Sequence, residues 1–156
     1  MRRFKRLFGH EHGAEIVEFA LAGTFFFTLL FGIIQFCMVL YADGFVAFAA
    51  QQGTRYWMVH GSDWKSSCAS ATSYGCKASA TNVQNYILAL PHPGLSLTTS
   101  NITATALTTT ATGSACVQYS QGCQVEVQVT YTFQLNLPFY SPNIPVSSTS
   151  IETIQN

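Results

Sequence analysis

An uncharged run of 24 residues, from position 19 to 42, constrains this 156-residue chain more than any other feature. A helix rises about 1.5 Å per residue, so this run would reach about 36 Å, and the hydrocarbon core of a bilayer is about 30 Å thick. We therefore predict a transmembrane helix. A cleaved secretory signal is the alternative, but the apolar region of such a signal covers only about 7 to 15 residues.

Basic residues set the expected orientation of this helix. Four of the seven lysines and arginines stand at the N-terminus, as Arg2, Arg3, Lys5 and Arg6. Lysine and arginine close to a membrane segment stay in the cytoplasm. We therefore expect a single-pass protein with a cytoplasmic N-terminus and with residues 43–156 on the outer side.

Two glutamates precede the apolar run, and Glu18 adjoins it directly. One interpretation places Glu15 and Glu18 in a solvated first helical turn, where acids interact favourably with the helix dipole. The other interpretation gives Glu18 a positive partner inside the membrane, because an unpaired carboxylate there is costly.

The residues around this junction resemble a known processing motif. Gly13, followed by four residues and then Glu18 and Phe19, is similar to the prepilin motif of the tight-adherence (Flp) system, which TadE-like pseudopilins carry. The resemblance implies that a membrane prepilin peptidase cuts between Gly13 and Ala14. It also implies a bacterial inner (plasma) membrane protein whose second part is periplasmic or extracellular.

Cleavage at this bond would explain Glu18. The freed amino group of Ala14 is cationic near neutral pH, and a neighbouring subunit's glutamate can pair with it. Such a contact would fix the axial register between subunits. The expected partners are therefore the lipid bilayer, the peptidase and other pilins or pseudopilins of the Tad system.

The resemblance continues beyond the apolar run, through residues 40–42 and 49–56, where TadE-like proteins commonly have a small-residue helix ending in a Gly-x-Arg-Tyr or Gly-Ala-Arg run. This chain has Gly53, Thr54, Arg55 and Tyr56 there. It departs from the family at Thr54, and also at Gln52, where an acid is frequent.

Residues 45–59 continue the helical periodicity, with Phe45, Phe48 or Ala49, Gln52, Tyr56 and Val59 on one face. One helix is thus predicted from residue 15 to 59. Its outer part could be buried against neighbouring subunits or against a β-domain of its own chain. Both arrangements remain open, and small residues such as Gly23, Thr28 and Gly32 would allow close approach of membrane helices.

From residue 60 onward the composition changes to Ser, Thr, Ala, Asn and Gln with few charges. We predict three regions: a basic leader (1–13), the transmembrane helix with its extension (14–59) and a small α+β domain (60–156). Removal of the leader leaves 3 Lys and Arg against 6 Asp and Glu. The outer region has no basic patch, so we expect no nucleic-acid partner.

Four of the five cysteines lie in this outer region, which suggests an oxidising compartment. Cys68 and Cys76 are eight positions apart, and Cys116 and Cys123 are seven apart. Three pairings are possible, and two local disulfides are favoured over a zinc site, because neither pair has the spacing of zinc knuckles. Cys37 lies in the apolar run and is interpreted as a small hydrophobe.

The outer region contains one clear helix pattern and one clear strand pattern. Residues 79–90 have apolar side chains at helical spacing and end before Pro91. Residues 124–137 alternate strictly between polar and apolar side chains, as expected for a half-buried strand. Residues 101–107 and 146–154 alternate more weakly. The predicted fold is α+β, with three or four antiparallel strands packed on helix and a hairpin loop at residues 113–122.

The chain shows no recognisable catalytic constellation, so we expect no enzyme activity, cofactor, metal or small-molecule substrate. His60 and His92 stand alone, and His10, Glu11 and His12 lie in the expected leader. The favoured function is that of a processed pseudopilin or minor pilin in assembly of a Flp/Tad adhesive pilus or a related secretion apparatus. The alternative is an uncleaved, signal-anchored periplasmic binding or scaffold domain.

Overall fold

One continuous helix, α1 (His12–Val59), begins the computed structural model, which describes residues 12–61, 78–135 and 141–155. The first proline of the chain is Pro91, so nothing interrupts the helical hydrogen bonds of this segment. Its 48 residues correspond to a length of about 72 Å. The single long helix predicted from residue 15 to 59 is confirmed, and it begins slightly earlier, so it continues across the expected cleavage position.

The second helix, α2 (Ala80–Ala89), follows the segment that lies outside the described residues. The backbone N–H of Asn82 donates a 3.2 Å hydrogen bond to Oγ of Ser79, which is a typical N-cap. The helix ends before Pro91, as predicted.

Three strands form one antiparallel sheet in the order β1-β2-β3: β1 (Ile102–Thr110), β2 (Cys123–Gln134) and β3 (Asn143–Thr153). In β2 the valines at 125, 127 and 129 are fully buried and the residues between them are half-buried, which confirms the predicted alternation. The predicted loop at 113–122 lies within the connection between β1 and β2. We call α2, the sheet and their connecting segments the head.

The C-terminal part of α1, from about Met38 to Val59, packs against the sheet and α2, and we call it the upper half of the helix. Trp57, Ile87 and Val127 are fully buried in this shared core. The helix is therefore covered, from about Met38 upward, by the head of its own chain, which is one of the two arrangements left open by the sequence. The α+β fold class is confirmed.

The predicted face of α1 was wrong at Val59, and of the alternatives Phe48 and Ala49 it is Ala49 that is buried. Phe48 and Val59 are 47% and 43% exposed, whereas Val46 and Trp57 are fully buried. Apolar side chains surround the helix in this stretch, so more than one face fits the helical period. The position of the sheet selects the face, and sequence periodicity alone does not.

Candidate functional site

The lower half of α1 exposes its apolar side chains. Phe19 is 80% exposed, Phe25 is 73% exposed and Leu21 is 70% exposed. A surface of this kind is unfavourable in water and requires either lipid or other helices around it. α1 is long and apolar enough to cross a membrane, which fits a single-pass membrane protein.

Gly13 lies in the first turn of α1, and the described fold gives no reason for a glycine there. A Cβ at this position would meet no atom within 4 Å. No positive φ angle is recorded for Gly13, so backbone conformation does not require glycine either. Gly23, Gly32 and Gly44 of the same helix are likewise free of any close neighbour.

Ala14 and Glu18 are four residues apart on α1 and therefore lie on the same face, about 6 Å apart along the axis. Both are exposed, and Phe19 beside them is exposed as well. Glu18 has no hydrogen-bond or ion-pair partner in the part of the chain that the structure describes. The arrangement presents a carboxylate at the edge of the apolar surface, where a cationic group of another chain could reach it.

Two hydroxyls lie within the apolar half of the helix, and both are satisfied by the helix itself. Thr24 Oγ1 donates to the carbonyl of Ala20 at 2.8 Å, and Thr28 Oγ1 donates to the carbonyl of Thr24 at 2.8 Å. A Cβ added at Gly23 or Gly32 would meet no atom within 4 Å. This part of the helix thus keeps small residues that no contact of the described chain requires.

A disulfide joins Cys116 to Cys123, with 5.9 Å between the Cα atoms. It closes the loop between β1 and β2 at the end of the head farthest from the apolar half of α1. Cys68 and Cys76 lie outside the described residues, so their pairing stays a prediction. Cys37 is a free, exposed cysteine on the apolar half of α1.

His60 and His92 each hydrogen bond to a nearby backbone carbonyl. Nδ1 of His60 lies 2.8 Å from the carbonyl oxygen of Tyr56, and Nδ1 of His92 lies 2.6 Å from that of Leu90. No three His, Cys, Asp or Glu side chains come together within residues 12–61, 78–135 and 141–155. His10 and Glu11 lie outside those ranges, and the structure describes only the backbone of His12.

Sequence reasoning missed the importance of Gly53 and Trp57. A Cβ at Gly53 would lie 2.7 Å from Cδ1 of Ile87 and 3.1 Å from Cγ1 of Val127. Trp57 is fully buried and stacks on Tyr119 with 6.1 Å between ring centroids. The signal for Gly53 was its place in the Gly-Thr-Arg-Tyr run, where a glycine inside a helix indicates close packing.

The fold and the exposed junction define a class: a protein with one candidate membrane-spanning helix that continues into the core of a small α+β head. Residues 13–55 match the model of the TadE-like protein family, which confirms the resemblance over that part of the chain. The match covers less than a third of the length and includes the whole apolar run. No curated protein and no solved structure matches the chain. The TadE-like family suggests a minor pilin associated with the Tad pilus, a structural component and not a known enzyme.

Proposed function

We propose that the chain is a pseudopilin or minor pilin that a prepilin peptidase cuts between Gly13 and Ala14, and that the product acts in assembly of a Flp/Tad pilus or a related secretion apparatus. The observation that carries the proposal is the junction itself. The family match begins at Gly13, and neither Gly13 nor Glu18 has a structural role within the described chain.

The scissile bond lies in the first turn of α1, and a peptidase requires an extended backbone there. The first turn of a helix lacks part of its hydrogen bonds and frays readily. Glycine lowers helix stability further, by about 1 kcal/mol relative to alanine. Gly13 therefore favours the local unwinding that cleavage needs.

Cleavage leaves Ala14 as the first residue of the helix, with a free amino group. A cation at a helix N-terminus is disfavoured by the helix dipole, so the new amine gains from a nearby carboxylate. Glu18 of a parallel neighbour can supply that carboxylate. The pairing would offset adjacent helices by about 6 Å along their axes, which is the distance between Ala14 and Glu18.

The proposed topology places the N-terminus in the cytoplasm and the head on the periplasmic or extracellular side of the inner membrane. Alkaline phosphatase fused after Asn156 should be active, because the enzyme matures only outside the cytoplasm. An inactive fusion that is produced in full length would reverse the proposed orientation.

Mass spectrometry of the N-terminus tests the processing step. The chain is co-expressed with a prepilin peptidase, and the membrane-bound product should begin at Ala14. Gly13→Val should retain residues 1–13, whereas the control Gly23→Val, within the apolar half, should still be cut. A parent chain that keeps its first 13 residues would reject processing and favour the alternative, a signal-anchored binding or scaffold domain.

A further inference from the structure

Among the described residues of the head, those at 91–97, here called the lower loop, pack beside the part of α1 that adjoins its apolar half. The ring of His92 lies 6.0 Å from that of Phe45, measured between centroids. A Cβ at Gly94 would lie 3.5 Å from Cε of Met38. The lower loop therefore stands at the same height along α1 as Met38, the first helix residue that packs against the core.

The position of Met38 limits how far the head can stand from a bilayer. Residues 19–37 lie between Glu18 and Met38, and these 19 residues span about 28 Å, close to the hydrocarbon thickness of about 30 Å. Glu18 cannot enter the hydrocarbon cheaply from the inner side. When Glu18 lies at the inner boundary of the hydrocarbon core, Met38 lies at its outer boundary. Tilt of the helix would bring the head still closer to the bilayer.

The next charged residue of α1 agrees with this position. Asp43 is exposed and lies about 7.5 Å above Met38 along the helix, a height that belongs to the headgroup layer or to water. No length of helix is left over to serve as a stalk between the outer boundary and the head.

The described residues at this end of the head include no Asp, Glu, Lys or Arg. In the lower loop, Pro93 and Ser96 are exposed, and Leu97 is half-buried. An open groove beside the loop is lined by Ser96, Tyr131 and Phe133, among others. Glu126 and Glu152 lie toward the opposite end, near Cys123, because Val125 pairs with Glu152 and Glu126 pairs with Ile151.

We propose that the lower loop rests in the phospholipid headgroup layer of the membrane that α1 spans. The occupant of this surface is the outer leaflet of the protein's own membrane, since α1 holds the loop at that height. Tyrosine and uncharged polar groups are suited to such an interface. The proposal rests on the proposed membrane insertion, and it adds that the head must leave a lipid contact whenever the subunit leaves the bilayer.

Paramagnetic broadening tests the contact in the full chain. The protein is reconstituted in lipid nanodiscs, and amide signals are recorded with and without lipid that carries a nitroxide on its headgroup. Signals of Ser96 and Leu97 should lose most of their intensity. Signals of Ala111 and Ser114 should keep theirs, because β1 separates them from the lower loop by about 30 Å. Equal loss of signal intensity at Ser96 and at Ser114 would overturn the proposal, as would equal retention.

An insertion provides the matched control. Seven polar, helix-forming residues placed after Cys37 raise the head by about 10.5 Å and nearly preserve the helix face. Broadening at Ser96 should then disappear, and persistence would show that it did not arise from the height of the loop. Lipid that carries the nitroxide near the end of its acyl chain should broaden the amide signal of Thr28 in both the parent and the insertion variant. Absence of broadening at Thr28 would reject membrane insertion of α1. That result is distinguishable from failure of the lower-loop contact, in which Thr28 is broadened and Ser96 is not.

Discussion

Gly53 on α1 faces Ile87 on α2 so closely that a Cβ at position 53 would lie 2.7 Å from Cδ1 of Ile87. Cγ1 of Val127 on β2 would be 3.1 Å away, so helix, helix and sheet converge on this glycine. The three elements meet where the TadE-like match ends. The head thus packs closely against α1 at a residue without a side chain.

Substitution of Gly53 should destabilise the head. Gly53→Ala should lower the free energy of unfolding by up to about 2 kcal/mol, because overpacking against Ile87 and Val127 costs about 1 to 3 kcal/mol and helix propensity returns up to about 1 kcal/mol. Denaturant unfolding of the full chain in detergent micelles measures the change. Ile87→Val in the same chain should recover part of the loss, since it removes the closest atom.

Gly44 is the matched control for Gly53. It lies in the same helix, and a Cβ there would meet no atom within 4 Å. Gly44→Ala should therefore stabilise the protein by up to about 1 kcal/mol through helix propensity alone. Equal effects of alanine at the two positions would contradict the close packing at Gly53.

A hydroxyl pair joins α1 to the edge strand β3. Oγ1 of Thr54 lies 3.0 Å from Oγ of Ser150 and also 3.0 Å from the carbonyl oxygen of Gln51. A hydroxyl has one proton, so when Thr54 donates to the carbonyl, Ser150 is the donor to Thr54. Thr54 is fully buried, whereas Ser150 is half-buried.

This geometry predicts unequal effects of two substitutions. Thr54→Val should lower the free energy of unfolding by about 1 to 2 kcal/mol, because Ser150 loses its acceptor and a buried bond is lost. Ser150→Ala should cost less, because Thr54 keeps its bond to the helix backbone. A double-mutant cycle should show that Ser150→Ala adds little once valine occupies position 54, and strict additivity of the two losses would reject the bond.

Much of the fold could be predicted from local pattern. The long helix, α2 and β2 have strong periodicity and clear end signals, such as Pro91 after α2. The face of α1 could not be predicted, because Phe48 and Trp57 are both large and apolar and only the position of the sheet distinguishes them. For the candidate site, residue types at Gly13 and Glu18 carried the information. The height of the head above Glu18 required the Met38 and Gly94 contact, which joins residues far apart in sequence.

Trp57 combines full burial with an indole Nε1 that has no hydrogen-bond partner in the part of the chain described. Trp57→Ala should lower the free energy of unfolding by about 3 to 5 kcal/mol through loss of apolar contacts and the cavity that remains. Trp57→Phe should cost much less, because it removes an unpaired N–H together with part of the ring. Thermal unfolding compares the two, and phenylalanine as damaging as alanine would contradict this expectation.

The disulfide between Cys116 and Cys123 should stabilise the head through its short loop. Replacement of both cysteines by alanine should lower the free energy of unfolding by about 2.5 kcal/mol on the chain-entropy estimate. Parent and double variant are compared by urea unfolding under oxidising conditions, which leaves the state of Cys68 and Cys76 the same in both. An unchanged midpoint would mean that the loop is held by its other contacts.

Glu18 should matter for assembly and not for cleavage or folding, because it is exposed and without a partner in the described chain. Glu18→Gln keeps the shape and removes the charge, so the peptidase should still release Ala14 while the amount of assembled pilus falls sharply. Loss of one member of a buried charge pair costs about 3 to 5 kcal/mol, which corresponds to more than a hundredfold weaker contact.

Glu15→Gln, one turn away in the same exposed segment, is the control and should assemble nearly as the parent does. Pili sheared from cells and quantified by immunoblot give the readout, with the mature N-terminus checked by mass spectrometry. Equal pilus formation by Glu18→Gln and the parent would remove the proposed pairing, because cleavage alone would then suffice for assembly.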